Sequence, residues 1–385
     1  MKKTFNLIYM LNKISTTIVF FMLLGFISCQ KDDDLNVNSK EELQDKLRTE
    51  VTSKNLTSIS YCILKNDKLL YSNALNFADN NNNKLATDNT RYLIASISKT
   101  ITAVAAMKLV EQNLIGLDDD INQYLPFLVR NPNFPNDKIT LRMLLTHRSS
   151  ISDEFQETLD LDCYGIDCAM TLDQFFKAVF LSSGQYYSSN NFSDNKPSTV
   201  EDYSNVGSAL IGYIVERITL TTFDIYCKNN IFIPLGMTKT EWRLANTPIV
   251  ELAIPYSPDI PNSNNPHYTF PDYPNGGLRT NVLDLSKFLR AIIQNGTLNG
   301  TQILTSSSVT AMKTLQFGST TQCLSFYYEA FNGKNYLGHS GGEKGVTTEM
   351  YFDTNTNVGI IVFNNDDDAD LNNIVSLLFN YGEKQ

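Results

Sequence analysis

Two β-rich runs near the start of the chain and three near its end constrain the fold more than any other feature. Residues 57–64 and 68–77 flank Asn66-Asp67, the arrangement of a hairpin. Residues 334–337, 347–352 and 358–363 have the same β-branched and aromatic character, and 371–379 follows with helical spacing. Between these ends lie helical patterns. Residues 97–112 are apolar or small on nearly every side, which predicts a helix buried in a core. Further helices are predicted over 39–51, 140–146, 207–219 and 283–294, and the Ser/Asn-rich stretch 181–200 predicts a long loop. The expected fold class is therefore α/β in the α+β sense. One antiparallel sheet is formed by the N- and C-terminal strands and flanked by helices, with a helical subdomain inserted at about 113–330. A cleft is expected where the two parts meet.

Composition narrows the partners. With 42% hydrophobic residues over 385 positions the chain can build a large core, which excludes global disorder. Acidic residues exceed basic ones by 41 to 31 and form no basic stripe, so the electrostatic footprint of nucleic-acid binding is missing. A small molecule or a peptide, including one derived from peptidoglycan, is the expected substrate. Lys2, Lys3 and Lys13 precede an apolar run over 14–27 that ends in Ser28-Cys29. The run is shorter than the about 20 residues a spanning helix needs and reads as an export signal. Ser28-Cys29 resembles a bacterial lipobox, and Gln30-Lys31-Asp32-Asp33-Asp34 resembles the acidic export tag of surface lipoproteins. The resemblance implies a lipoprotein signal peptide over 1–28, lipidation at Cys29, an acidic linker over 29–44 and a domain over 45–385. It implies attachment to the outer membrane through lipid, at the cell surface or on the periplasmic face. The competing reading is a plain membrane-anchor helix followed by a solvated linker. Of the six cysteines, Cys163 and Cys168 flank a short Tyr-Gly-Ile-Asp turn, which suits a local disulfide in an exported protein. The three histidines stand far apart and join no Cys pair at zinc spacing, so neither metal nor cofactor is expected.

Three short patterns carry chemistry. Ser96-Ile97-Ser98-Lys99 puts a hydroxyl and an amine on one helix face, one turn apart. Ser-x-x-Lys recurs at Ser28-Lys31 and Ser193-Lys196, but only Ser96 opens a buried helix. A serine hydroxyl becomes a nucleophile when a base removes its proton, and a desolvated Lys can serve as that base. Tyr-x-Asn occurs at Tyr71, Tyr203 and Tyr273. Tyr203-Ser204-Asn205 enters a small-residue helix, where the phenol could move protons and the Asn205 amide could orient a substrate. His339-Ser340-Gly341-Gly342 follows a strand-like segment, and its glycines let a substrate approach the backbone. The N–H groups of Ser96 and Gly342, both aimed inward, would form an oxyanion hole. His339 has an unperturbed pKa near 6.5, so its charge is expected to change within the working range and to help hold a substrate carboxylate. His147 ends an apolar helix and reads as structural.

In its order and surroundings, the stretch from Arg91 to Thr102, containing Ser96-Ile97-Ser98-Lys99, resembles the nucleophile segment of the serine β-lactamase and DD-peptidase superfamily, in its class C and esterase-like branch. The likeness continues through Leu114-Ile115-Gly116-Leu117-Asp118-Asp119, Leu144-Leu145-Thr146-His147, Tyr203-Ser204-Asn205-Val206-Gly207, Gly276-Gly277-Leu278 and Gly338-His339-Ser340-Gly341-Gly342, over about residues 45–380. It implies acylation at Ser96, with Lys99 and Tyr203 as catalytic partners and Asn205, His339, Ser340, Gly341 and Gly342 against the substrate. D-Ala-D-Ala-type peptides, small esters or amides, and β-lactams are the implied substrates, in that order. His339 stands where the β-lactamases of the superfamily have Lys, which argues against efficient β-lactam hydrolysis. Arg148-Ser149-Ser150 replaces their Thr-Ser-Gly and is expected to change a loop. The alternative is a catalytically silent surface lipoprotein that binds a peptide or glycan in the same cleft. Intact Ser96, Lys99 and Tyr203 weigh against it.

Overall fold

A computed structural model describes residues 35–261 and 265–385. The expected signal peptide, Cys29 and the expected acidic export tag lie outside the described residues. Seven strands form the main sheet: β1 (Ser58–Lys65), β2 (Lys68–Asp79), β3 (Lys84–Leu85), β4 (Tyr327–Phe331), β5 (Lys334–Glu343), β6 (Val346–Phe352) and β7 (Val358–Asn364). They run in the order β4-β5-β6-β7-β1-β2-β3, antiparallel throughout. The two ends of the chain meet where β1 pairs with β7, Cys62 opposite Ile361 and Ile63 opposite Ile360. Both strands are covered on both faces. Side chains alternate between faces along a strand, so Ile59, Tyr61 and Ile63 join one apolar cluster while Cys62 and Leu64 join the other.

The first of these clusters is closed by α1 (Lys40–Ser53) and the C-terminal α6 (Asn372–Glu383). Helix α1 starts inside the stretch expected to be linker. Ser39 caps it by accepting the Glu42 N–H at 3.1 Å, and Leu43, Leu47 and Val51 are buried. On the opposite face lie α2 (Ser98–Glu111), α3 (Leu172–Phe180), α4 (Asn205–Thr219) and α5 (Val282–Ile293). Helix α2 buries residues all round its circumference, from Ser98 to Leu109, as its lack of a polar face requires. No helix among the described residues is long and apolar enough to cross a membrane. Cys163 and Cys168 form a disulfide, while Cys62, Cys227 and Cys323 are free and buried.

Two departures from the sequence expectation bear on the site. Strand β4, at the sheet edge, was not expected. The strand expected over 334–337 continues as β5 to Glu343, carrying His339, Ser340, Gly341 and Gly342 within it. The continuation is possible because a Cβ on Gly341 would stand 2.6 Å from the Ile94 carbonyl oxygen and 2.4 Å from Thr348 Oγ1. Only a residue without a side chain lets β5 lie this close to the segment that delivers Ser96.

Candidate active site

Ser96 enters on a turn. The pair Tyr92–Leu93 bonds to Arg279–Thr280; Ala95 then takes a left-handed conformation, φ +46°, and one 3₁₀ turn (Ala95–Ile97) runs into α2. A non-glycine residue held at positive φ is costly and persists where packing imposes it; here Ala95 reverses the chain against Gly341 of β5. Lys99, one helical turn on and 1% exposed, points back at the nucleophile with Nζ 2.9 Å from Ser96 Oγ. Its two other hydrogen bonds go to Asn205 Oδ1 at 2.7 Å and to the Asn275 carbonyl at 2.9 Å. With two positions so engaged, the third carries either an N–H or a lone pair, directed at the serine.

Tyr203 approaches from the other side, its hydroxyl 2.8 Å from Ser96 Oγ. It precedes α4, whose N-terminus is held in place by Asp153. One carboxylate oxygen accepts the Ser204 hydroxyl at 2.7 Å and the Val206 N–H at 3.1 Å, and the other accepts the Asn205 N–H at 2.5 Å. Ser204 completes the cap by accepting the Gly207 N–H. A carboxylate at a helix N-terminus meets free N–H groups and the positive end of the helix dipole. Asp153 thereby aims Asn205 at Lys99 from a position about fifty residues away in the chain, with burial raising its pKa. Ser150 adopts φ +63° at the place of the glycine in the family's Thr-Ser-Gly, and its hydroxyl accepts from Asn131 Nδ2 at 3.1 Å.

Ser96, Tyr203, His147, His339, Ser340 and Gly342 line a cleft of about 470 Å³. Nothing stands within 4 Å of where a Gly342 Cβ would be. Ser340 Oγ pairs with the Tyr327 hydroxyl at 2.6 Å, and Tyr327 also accepts the Ser340 N–H and the Tyr351 hydroxyl. Tyr327 lies on β4, the strand that sequence reading missed. A second cavity of about 230 Å³ opens beyond Asn205 and Asn275, with Asp162, Asp272, Glu343 and Lys344 in its wall. Burial pushes Asp272 up to about 6 and Glu343 up to about 7.

The expected charge change of His339 is corrected by the structure. The ring is 3% exposed, and burial, with the Lys99 charge second, lowers its pKa to about 3. The Ser340 carbonyl oxygen can only accept, so the 2.5 Å contact places the proton on Nδ1 and leaves Nε2 as an acceptor. Imidazolium forms only as pH falls toward 3. Because an unfolded histidine takes up its proton near 6.5, the stability that His339 contributes is lost as pH drops below that value. The kcat/KM profiles of wild type and His339→Gln on a carboxylate-bearing peptide are therefore expected to have the same shape between pH 5 and 8, whatever their heights. A limb near pH 6.5 present only in wild type would restore the imidazolium.

The β-lactamase family model matches residues 43–374. The chain belongs to the β-lactamase family. Among curated proteins, Protein flp of Staphylococcus aureus (strain N315) is 24% identical over 263 residues, 66% of this chain and 49% of that protein. β-Lactamase-like protein 4 of Dictyostelium discoideum is 25% identical over 369 residues, 90% and 59% of the two chains. The chain thus spans about half the length of the curated relatives it matches. D-amino acid amidase from Ochrobactrum anthropi SV3, solved with L-phenylalanine amide, shares the fold at a TM-score of 0.70 and 19% identity, covering 89% of this chain and 99% of that one. D-alanine carboxypeptidase AmpC from Burkholderia cenocepacia does so at 0.69 and 18%, covering 90% and 100%.

Within this β-lactamase-family fold, Ser96, Lys99, Tyr203 and Asn205 converge on one point, and His339, Ser340 and Gly342 line the same cleft. Gly341 instead faces Ile94 and Ala95 and serves their close approach. Asn275 belongs to a Tyr-x-Asn pattern that sequence reading passed over. It contributes a backbone carbonyl, which has no side-chain signature, and no sequence signal marks Asp153 or Tyr327 either. His147, read as structural, lines the cleft.

Proposed function

We propose that the protein is a serine hydrolase working through an acyl-enzyme on Ser96. The observation that carries this is the placement of Ser96 Oγ within 2.9 Å of Lys99 Nζ and 2.8 Å of the Tyr203 hydroxyl, two groups able to move a proton on and off one oxygen. Lys99 keeps its bonds to Asn205 and Asn275 while its third position receives the serine proton. Oγ attacks the substrate carbonyl carbon, and the N–H groups of Ser96 and Gly342 meet the developing oxyanion. Tyr203 passes a proton to the departing amine or alkoxide, and water then releases the acyl group by the reverse relay. Neutral His339 offers Nε2 as an acceptor in the cleft. D-Ala-D-Ala-type peptides head the substrates, followed by small esters and amides and then β-lactams. The cavity beyond Asn205 and Asn275 has room for the acyl side of such a molecule, and its carboxylates suit a protonated amine there, as in a free D-amino acid amide.

The test is to treat the protein with a fluorophosphonate and with a penicillin and to map the adduct by peptide mass. A turnover panel accompanies it: a D-Ala-D-Ala peptide, a D-amino acid amide, a phenyl ester and a penicillin. One adduct per chain on the Ser96 peptide is expected, with the penicillin the slowest of the panel to turn over. No adduct and no turnover would leave a silent binding cleft.

We also propose that Cys29 carries lipid and that the protein is an exported outer-membrane lipoprotein, supported by the apolar run ending in Ser28-Cys29 and the acidic tag after it. Cys29→Ser is expected to release protein into the soluble fraction or leave the precursor uncleaved. Firm membrane attachment with residues 1–28 retained would make that run an anchor.

A further inference from the structure

Tyr203 is 48% exposed, and an exposed aromatic ring samples several rotamers unless its neighbours prevent it. Lys99 Nζ lies 5.0 Å from its ring centroid, and His147 braces it in three ways, once at the ring and twice at the neighbouring backbone. The His147 ring stacks on the Tyr203 ring with centroids 4.2 Å apart and planes 25° apart. The His147 carbonyl accepts the N–H of Asp202, the residue before Tyr203, at 2.7 Å. Its Nδ1 accepts the N–H of Ser204, the residue after, at 3.1 Å. The ring is buried, and its own backbone is left-handed at φ +55°, a conformation in which His is enriched among non-glycine residues.

We infer that His147 is the positioning residue for Tyr203, fixing the phenol between stack and backbone so that its hydroxyl meets Ser96 Oγ. This rests on the acyl-enzyme reading above. The role demands a flat ring and an acceptor together. Nδ1 must present a lone pair to Ser204, so the proton of the neutral ring sits on Nε2. An Asn at 147 keeps an acceptor near the Nδ1 position and tolerates positive φ, but loses the stack. A Phe keeps the stack and puts C–H against the Ser204 N–H.

The experiment is a double-mutant cycle on the full-length protein, with p-nitrophenyl acetate turnover and the rate of fluorophosphonate labelling as readouts. His147→Asn and His147→Phe are each made in wild type and in Tyr203→Phe, and thermal melts verify folding. In the wild-type background each is expected to lower kcat at least about tenfold with KM within about twofold. In Tyr203→Phe the same substitutions are expected to change kcat by less than about twofold, because no hydroxyl remains to be positioned. An equal loss in both backgrounds would make His147 merely structural, and no loss in either would remove it from the site. Both outcomes leave the acyl-enzyme reading standing provided Tyr203→Phe alone is slow. Wild-type rates in Tyr203→Phe alone would overturn this inference and the role of Tyr203 together. Should one variant fail to fold, the other decides.

Discussion

Ser96→Ala is expected to abolish both covalent labelling and turnover while leaving the protein folded. Ser96 Oγ is the hydroxyl on which Lys99 and Tyr203 both converge, whereas the Ser340 hydroxyl in the same cleft is paired with Tyr327. The free thiols of Cys62, Cys227 and Cys323 are buried, and burial raises the pKa of each, so none offers a substitute thiolate. Structurally, Lys99 Nζ and the Tyr203 hydroxyl lose one shared acceptor. Lys99 keeps Asn205 and Asn275, and Tyr203 can turn to solvent. Loss of a hydrogen bond of this kind changes stability by about 1–2 kcal/mol, so the melting temperature should move by a few degrees at most. Intact-mass measurement after fluorophosphonate treatment checks the first half and a thermal melt the second. Full labelling of the variant would place the nucleophile elsewhere.

Replacing Lys99 should cost nearly as much, and the choice of replacement separates two roles for the amine. Lys99→Met fills the same buried volume but cannot take a proton. It also leaves Asn205 Oδ1 and the Asn275 carbonyl without their donor. Proton transfer by a positioned group contributes about 10²- to 10⁴-fold, and a fall of that order in the acylation rate is expected. Lys99→Arg restores a cation and several N–H donors but no lone pair, since guanidinium stays protonated in proteins. If Lys99 accepts the serine proton, the Arg variant is as slow as the Met variant. Single-turnover acylation of a chromogenic ester measures both. Recovery of most of the wild-type rate with Arg would reduce Lys99 to a fixed charge beside Ser96.

What sequence could disclose was local. Ser96 and Lys99 sit one turn apart on a helix, so their meeting follows from chain geometry alone, and α2 announced its burial by having no polar face. The sheet built from both termini was legible in the β-rich composition of its runs, except at β3 and, nearer the site, at β4. That short edge strand is partly exposed and lacks the continuous apolar stretch that marks β7. The proposed lipid anchor also rests on sequence alone.

What only the tertiary structure decided was everything that depends on distant groups sharing a small volume. Asp153 caps a helix about fifty residues away, the Asn275 carbonyl acts through a backbone atom common to all residues, and His147 meets Tyr203 only once the chain has folded. The charge of His339 is the clearest case. A histidine read alone has a pKa near 6.5, but burial beside Lys99 takes it to about 3, because desolvation and a neighbouring cation both penalise the protonated ring. Residue types and spacings therefore determined which groups could react. Their protonation states and aim came from the environment that folding builds around them, and no local pattern encodes that environment.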